Sequence, residues 1–189
     1  MSRQEVDEPM SRIVIVNGSP RKNGNTSRMV SALVEEAGRK GHEVKVFEVG
    51  AMKLDGCRAC GCCFGNGRAC VSSDAFNDIA DAIESSDSIV LAMPVYWYSI
   101  PGQIKNVIDR FFSFVVGKRD VSGKRFALIS CCEEEDMSVF DGVREPLIRT
   151  AKPLGWTYVG DVLVPGVLNE GDVDGTDGCD RVVELVNSL

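Results

Sequence analysis

Short apolar runs alternate with amphipathic helical segments along most of this 189-residue chain. Five runs rich in β-branched residues predict strands, at 12–17, 43–49, 88–93, 125–131 and 158–164. Helical spacing predicts helices between and after them, at 26–40, 74–84, 102–114, 137–152 and 180–188. Because the strand runs show no clean polar alternation, they suit parallel strands that are buried on both faces. The pattern therefore predicts a parallel sheet covered by helices on both sides, built from right-handed crossovers.

The number of strands narrows the topology further. Five strands in a chain of this length favour the flavodoxin-like order 2-1-3-4-5, a three-layer α/β sandwich, over a six-stranded dinucleotide fold. We expect a single domain over residues 12–189 and a disordered tail over residues 1–11. In such a sheet, ligands bind beyond the carboxyl ends of the strands. We therefore expect the ligand site in the loops 18–26, 94–101 and 131–136, which follow the first, third and fourth predicted strands.

Charge and hydropathy exclude some classes of function. The chain has 21 basic and 28 acidic residues and a formal net charge of −7, so it has no electrostatic reason to bind nucleic acid. No apolar run approaches the ~20 residues that a membrane helix needs. The first twelve residues contain acids and no apolar stretch, so we expect no secretory signal. This predicts a cytoplasmic protein whose cysteines are kept reduced.

The first of these loops is rich in small polar residues at the start of a helix. Its candidate phosphate ligands are Ser19, Arg21, Asn23, Asn25, Thr26 and Ser27. A helix N-terminus offers free backbone N–H groups and a partial positive charge, which suit a phosphate. The chain has neither a nucleoside-triphosphate loop nor a GxGxxG fingerprint. The alternative is an ordinary helix start preceded by a turn.

The loop after the third strand concentrates aromatic residues between two prolines, Pro94 and Pro101. Tyr96, Trp97 and Tyr98 can stack on a planar heterocycle, and Ser99 can bond its polar edge. The alternative is an aromatic cluster that closes the sheet or forms a subunit contact.

Five of the eight cysteines lie between residues 57 and 70. The spacing Cys57-x2-Cys60-x2-Cys63-x6-Cys70 can supply four thiolates to a metal site, and Cys62 is left over. Thiolate spacing alone leaves an iron–sulfur cluster, a zinc site, a redox dithiol and free thiols open. Cys62 and Arg68 also have phosphatase-like spacing, but such a loop would have to lie between a strand and a helix N-terminus.

Two other polar features carry less information. His42, the only histidine, follows Gly41 at a helix end, where we expect it to cap the helix or face water. A histidine-dependent triad is thereby disfavoured. The acidic run 133–136 is typical of a solvated helix start.

The two ligand loops together resemble those of the NADPH-dependent FMN reductase and iron–sulfur flavoprotein group. The resemblance covers about residues 12–165 and rests on Gly18–Thr26 (GSPRKNGNT), Pro94–Pro101 (PVYWYSIP) and Gln103–Arg110 (QIKNVIDR). It implies non-covalent FMN, with the phosphate held by Ser19, Arg21, Asn25, Thr26 and Ser27. It implies that the isoalloxazine is framed by Pro94, Val95, Tyr96, Trp97 and Ser99. The segment Ser130–Glu134 departs from the small, glycine-rich third loop that is common in this group.

The resemblance also implies an activity. We expect an FMN-dependent oxidoreductase that uses NAD(P)H and needs no catalytic side chain, because the flavin carries the chemistry. The spacing of Cys57, Cys60, Cys63 and Cys70 resembles the [4Fe–4S] motif of the iron–sulfur flavoproteins. The expected partners are a small-molecule electron acceptor or a ferredoxin-like donor, and the expected assembly is a homodimer or homotetramer. The alternatives are an electron carrier without its own substrate and a structural zinc module.

Overall fold

A computed structural model describes residues 10–189 of the chain. Its centre is a five-stranded parallel sheet with the order β2-β1-β3-β4-β5, which confirms the predicted topology. The strands are β1 (Arg12–Asn17), β2 (Glu43–Phe47), β3 (Ser88–Pro94), β4 (Arg125–Cys131) and β5 (Thr157–Val164). All four neighbouring pairs run parallel, so their carboxyl ends lie along one edge of the sheet.

Within residues 10–189, six α-helices connect and cover the strands. They are α1 (Asn25–Arg39), α2 (Phe76–Ser85), α3 (Gly102–Ile108), α4 (Phe112–Val116), α5 (Asp141–Leu154) and α6 (Gly178–Leu185). No helix within residues 10–189 has the length and apolar character that crossing a membrane requires.

The sheet separates two apolar cores. Ile13 and Ile15 of β1 point into a core formed with α1 and α6, whereas Val14 and Val16 point into a core formed with α2, α3 and α5. Successive side chains of a strand project to opposite faces, so a strand between two cores is apolar at every position. This explains why the strand runs in the sequence lack polar alternation.

The predicted helix over 102–114 is interrupted. A 3₁₀ turn at Asp109–Phe111 separates α3 from α4. Residues three apart lie on the same side of such a turn, and the Phe111 and Phe114 rings pack together in the core with their centroids 6.0 Å apart. Similarly, the helix predicted from 137 opens with a 3₁₀ turn, Met137–Phe140, before α5 begins.

The prediction for His42 holds only in part. Its backbone N–H caps the end of α1 by donating to the Ala37 carbonyl at 2.9 Å, but its side chain does not face water. Its side chain is buried, and its Nδ1 accepts a hydrogen bond of 3.1 Å from the backbone N–H of Ser11. Ser11 is buried as well, although it lies in the segment predicted as a disordered tail. The rest of that predicted tail, residues 1–9, lies outside the described residues.

Candidate functional site

The N-terminus of α1 is open at the carboxyl edge of the sheet. Gly24 stands at the N-cap position and makes no side-chain cap. The backbone N–H groups of Asn25 and Ser27 make no backbone or side-chain hydrogen bond among residues 10–189, and that of Thr26 contacts only the Cys131 thiol. Free donors of this kind, together with the helix dipole, make a site for an anion.

The loop before α1 is held in place by Asn17, the last residue of β1. Its side-chain oxygen accepts the N–H of Ser19 at 3.1 Å, and its side-chain nitrogen donates to Ser27 Oγ at 3.1 Å and to Glu48 Oε2 at 2.8 Å. The Ser27 hydroxyl in turn donates to the carbonyl of Arg21 at 2.9 Å. Ser27 therefore shapes the loop with its side chain and offers only its backbone N–H to a ligand.

The side chains of Asn25 and Asn23, two of the candidate phosphate ligands, do not point to a phosphate role. The Asn25 side chain is used within the protein, and Asn23 lies outside the cleft that the loops form. The Asn25 amide nitrogen donates to the carbonyl of Asn169 at 2.9 Å, and its oxygen accepts the N–H groups of Gly171 and Val173 at 3.2 Å each. The Asn25 side chain thus attaches the segment after β5 to the loop. Asn23 is exposed and does not line the cleft described below.

The aromatic loop forms a tight turn. Tyr96 and Ser99 exchange two backbone hydrogen bonds of 3.0 Å, and the central residues Trp97 and Tyr98 both have positive φ, 45° and 60°. Two consecutive residues with positive φ define a type I′ turn, which normally takes Asn or Gly because larger side chains are strained there. The turn leaves 92% of Trp97 exposed.

A glycine of α5 allows this turn to approach the helix. A Cβ atom added at Gly142 would overlap the carbonyl oxygen of Tyr98. Gly142 therefore determines how closely the aromatic turn packs against the start of α5.

These loops enclose a cleft of about 540 Å³. Eight of the predicted cofactor ligands line it, namely Ser19, Arg21, Asn25, Thr26, Pro94, Val95, Tyr96 and Trp97. The other three, Asn23, Ser27 and Ser99, lie beside it in the same loops. The structure thus brings the polar loop and the aromatic loop to one cavity.

The remaining walls of the cleft combine expected and unexpected residues. Tyr98 was suggested as a stacking residue, and Cys131, Cys132, Glu133 and Glu134 belong to the expected ligand loop 131–136. The sequence did not single out Val167 and Leu168, which line the cleft after β5. The last two could have been anticipated, because the carboxyl end of β5 lies at the same edge as the other strand ends.

The wall after β4 combines buried thiols with exposed carboxylates. Cys131 Sγ lies 3.2 Å from Thr26 Oγ1, and burial raises the pKa of the Cys131 thiol. The hydrogen bond with the Glu134 carboxylate, and then its charge, raises the pKa of Tyr98. The run 133–136 is exposed, as the sequence indicated.

A second cavity, of about 530 Å³, lies under the cysteine loop. The four predicted ligands Cys57, Cys60, Cys63 and Cys70 line it, together with Cys62. Burial raises the pKa of Cys63, and the other three predicted ligands raise it further through their charges, so the four thiols are neighbours. Within residues 10–189, no three Cys, His, Asp or Glu side chains converge closely enough to hold a single metal ion.

The cysteine loop itself is irregular. Residues 48–75, between β2 and α2, form neither strand nor α-helix. The predicted strand 43–49 ends two residues early, at Phe47, and the predicted helix 74–84 begins two residues late, at Phe76. No strand leads directly into Cys62, so the context that a phosphatase loop would need is absent from this part of the described chain. Cys62 and Arg68 are both exposed.

Arg110 holds the two ends of the cysteine loop together. Its guanidinium donates to both carboxylate oxygens of Asp74, at 2.7 and 2.6 Å, and to the carbonyl of Asp55. Only 3% of the Arg110 side chain is exposed, and it stacks over the Phe76 ring. Burial opposes its charge, but hydrogen bonds with Asp74 and then with Cys70 raise its pKa.

Asp74 is the acidic partner of this buried pair. Burial opposes its ionisation, but the bonds from Arg110 and from the backbone N–H groups of Asp55 and Phe76 outweigh this effect. The pKa of Asp74 is lowered to about 2. Asp74 lies at the start of the helix predicted over 74–84, and nothing local in the sequence indicates its ion pair, because its partner lies 36 residues away.

Comparison with known proteins identifies relatives of this chain. The model of the family described as NADPH-dependent FMN reductase matches residues 11–140. An iron–sulfur flavoprotein of Archaeoglobus fulgidus is 30% identical over 173 residues, which cover 86% of this chain and 74% of that protein. An iron–sulfur flavoprotein of Methanosarcina thermophila is 32% identical over 99 residues, 52% of this chain and 51% of that protein, so the match spans about half of either.

Solved structures share the fold at lower identity. An FMN-dependent NADH-azoreductase from Bacillus anthracis, in complex with FMN, superposes with a TM-score of 0.71 at 15% identity, covering 94% of this chain and 98% of that one. An NAD(P)H:quinone oxidoreductase from Methanothermobacter marburgensis gives 0.70 at 13% identity, covering 94% and 93%. At these identities the likeness shows a common fold.

Proposed function

Because this chain belongs to the NADPH-dependent FMN reductase family, it is a flavin-dependent oxidoreductase, and we propose that its cleft holds FMN in one defined orientation. The phosphate would bind at the N-terminus of α1, and the isoalloxazine would lie against the aromatic turn. One observation carries this proposal: the uncapped helix end and the aromatic turn open into the same cleft.

The phosphate end of the cleft fits a single terminal phosphate. The free N–H groups at the start of α1, the Ser19 and Thr26 hydroxyls and the Arg21 guanidinium would bind it. The chain has no pyrophosphate fingerprint to match the second half of FAD. We therefore expect FMN to bind in preference to FAD.

The ring end fits a planar heterocycle. Tyr96 and Trp97 present aromatic faces that are open to the cleft, and the strained turn between Tyr96 and Ser99 holds them in place. Bound FMN supplies hydride and electron transfer, so the chain need only bind the cofactor, orient it and leave one side accessible to NAD(P)H and an acceptor.

The second cavity fits an iron–sulfur group better than a single ion. We propose that Cys57, Cys60, Cys63 and Cys70 hold a [4Fe–4S] cluster. A zinc ion would draw four thiolates to about 2.3 Å from one point, whereas each thiolate of a cluster binds a different iron. The four cysteines share one cavity without converging on one point, which suits the cluster. The similar proteins named iron–sulfur flavoprotein add support.

The assembly and the location of the protein are further proposals. We propose a homodimer or homotetramer, because Trp97 at the cleft and Phe112 at the cysteine cavity are large exposed apolar residues. A ferredoxin-like donor and a small-molecule acceptor are the partners that two such redox sites would serve. All eight cysteines are free thiols, which supports a reducing, cytoplasmic compartment.

The decisive experiment is analysis of anaerobically purified protein for flavin, iron, sulfide and zinc. We expect FMN together with iron and sulfide in cluster stoichiometry, and rapid bleaching of the flavin by NAD(P)H. Bleaching that occurs only with a reduced protein partner would instead favour an electron carrier. Zinc without flavin would contradict both proposed sites.

The cysteine assignment has a matched control within the same loop. A Ser substitution at any of Cys57, Cys60, Cys63 or Cys70 should abolish the iron absorbance, whereas Cys62→Ser should leave it unchanged. FMN binding should survive in all five variants, because the cleft is built from other residues. Loss of iron in Cys62→Ser, or its retention in any one of the other four variants, would refute the assignment.

A further inference from the structure

One buried hydroxyl group at the cysteine cavity has no partner within the described chain. Ser113, in α4, is 2% exposed and lines the cavity, yet its Oγ makes no hydrogen bond among residues 10–189. Burying a hydroxyl group without a partner costs free energy. Its position therefore indicates a partner that the polypeptide itself does not supply.

Other helical hydroxyl groups show what Ser113 could have done. Ser31, Ser85 and Thr150 each donate to the carbonyl four residues earlier, at 2.9 to 3.0 Å. That bond is the usual way for a hydroxyl group on a helix to be satisfied locally. The Ser113 hydroxyl makes no such bond.

A second polar group from the same stretch of chain also faces the sulfur-rich cavity. Arg110 lines it, and its guanidinium lies within hydrogen-bonding reach of Cys70. Arg110 is already occupied by Asp74 and the Asp55 carbonyl, so it contributes mainly a fixed positive charge. The Ser113 hydroxyl has no hydrogen-bond partner within residues 10–189 and is therefore free to donate.

We propose that Ser113 donates a hydrogen bond to a sulfur atom of the group held by the four cysteines and thereby raises the reduction potential of that group. The proposal rests on the cluster assigned above. Sulfur is the acceptor because thiols surround the cavity, and Ser113 is the donor because, among the lining side chains, its hydroxyl is the one that is buried without a partner within residues 10–189.

The direction of the effect follows from charge. One-electron reduction adds one negative charge to the group, and a hydrogen bond to its sulfur stabilises the more negative form. Removing the donor should therefore make the group harder to reduce. The nearby Arg110 charge acts in the same direction, but Ser113 can be changed without breaking the buried ion pair.

The test compares anaerobically reconstituted wild type with Ser113→Ala, Ser113→Thr and Ser88→Ala, using a redox titration followed by electron paramagnetic resonance. Ser88 is a matched control. Its hydroxyl is also buried without a partner within the described residues, but it lies at the amino end of β3 and does not line the cysteine cavity. In Ser113→Ala we expect reduction to become about tenfold less favourable, a fall of about 59 mV for one electron. Ser113→Thr, which keeps the hydroxyl, and Ser88→Ala should match the wild type. Equal potentials in wild type and Ser113→Ala would overturn the proposal.

Iron-free protein provides an independent readout. There the Ser113 hydroxyl should have no partner, so Ser113→Ala should unfold at the same or a higher urea concentration than wild type, as Ser88→Ala should. Clear destabilisation of iron-free Ser113→Ala alone would show a partner within the protein and overturn the proposal. Iron and sulfide analysis of the wild type distinguishes failure of the cluster assignment from failure of the Ser113 proposal. Absence of iron refutes the cluster itself, whereas a cluster whose potential is unchanged in Ser113→Ala refutes only the role of Ser113.

Discussion

The cleft and the cysteine cavity have similar volumes, about 540 and 530 Å³, but the chain builds them differently. The cleft is made by loops that continue directly from β1, β3, β4 and β5, so the parallel sheet fixes where its walls stand. The cavity is made by an irregular segment that lies against residues 109–116. The buried Arg110–Asp74 pair attaches this segment to the body of the protein, together with bonds from the Asn106 and Asn77 side chains to the Leu54 and Ser72 carbonyls. The first site depends on topology, whereas the second depends on side-chain contacts, among which the buried ion pair carries the charge.

The two sites also differ in how they would bind their groups. The cleft offers several backbone N–H groups and several aromatic side chains, so no single substitution removes all of them. The cavity offers individual thiols, each of which is essential to its group. Substitutions should therefore separate the two sites, and the following changes test that separation from the largest effect to the smallest.

Arg110→Met should have the largest effect. It leaves the buried Asp74 carboxylate without its partner and releases the Asp55 carbonyl, and breaking a buried pair costs about 3–5 kcal/mol. Urea unfolding measures this loss. In whatever fraction remains folded, FMN should still bind, because Arg110 does not line the cleft.

The control for Arg110→Met is an exposed ion pair. Arg12 contacts Asp87 at 3.2 Å with 50% and 42% of the two side chains exposed. Arg12→Met should therefore cost less than about 1 kcal/mol. A similar loss in the two variants would mean that Arg110 is not what holds the cysteine loop.

At the cleft, the double variant Arg21→Ala/Thr26→Val should weaken FMN binding by at least about 100-fold. Each residue is proposed to make a charge-assisted bond to the phosphate, worth about 1.5–3 kcal/mol, and about 1.4 kcal/mol is a tenfold change in affinity. Flavin fluorescence titration measures the dissociation constant. Arg28→Ala is the control, since Arg28 pairs with Asp174 outside the cleft. Unchanged FMN affinity in the double variant would refute the placement of the phosphate.

The sequence was sufficient for the sheet and for the position of the cleft. Each apolar run is a strand because it lies between two cores, and each polar loop follows a strand end. The loops at 18–26 and 94–101 could therefore be assigned to one site from strand order alone. That Asn25 and Ser27 use their side chains within the protein was not predictable, because their partners depend on tertiary contacts.

The interior of the cysteine cavity was much less predictable. Spacing located the four thiols but said nothing of Arg110 and Ser113, which reach the cavity from a helical segment more than 35 residues further along the chain. The usable signal is a buried polar residue on an otherwise apolar helical face, since Arg110 and Ser113 alternate with the core residues Phe111 and Phe114. Likewise, nothing local in the sequence links Gly142 to the Tyr98 carbonyl.

Acid should weaken the attachment of the cysteine loop. The pKa of Asp74 is lowered from 3.8 to about 2 in the folded protein, so its ionised form contributes about 2 kcal/mol of stability above pH 4. That contribution falls as the pH drops from 4 through about 2. Between pH 5 and 2, the free energy of unfolding measured with urea should therefore decline in wild type. The decline should be smaller by about 2 kcal/mol in Asp74→Asn. Parallel curves for the two proteins would contradict this assignment.

Gly142→Ala should disturb only the aromatic turn. The added methyl group would overlap the backbone carbonyl of Tyr98, and overpacking costs about 1–3 kcal/mol. FMN affinity should fall while iron content stays unchanged. Gly38→Ala is the control: its methyl group meets nothing within 4 Å, and alanine is favoured in a helix by up to about 1 kcal/mol. A fall in iron content in Gly142→Ala would show that the two sites are not separate.

Trp97→Ala should have the smallest effect on stability and a clear effect on the flavin. With 92% of the side chain exposed, its removal should change the free energy of unfolding by less than about 0.5 kcal/mol. If Trp97 lies against the isoalloxazine, FMN should quench its fluorescence in the apoprotein, and the quenching should disappear in Trp97→Ala. The remaining tryptophan, Trp156, is buried and donates its indole N–H to the Val121 carbonyl at 2.8 Å, so its emission serves as the internal reference. Quenching that persists in Trp97→Ala, with unchanged reduction by NAD(P)H, would contradict the contact between Trp97 and the isoalloxazine. The aromatic turn would then have only a structural role, and the isoalloxazine would lie elsewhere in the cleft.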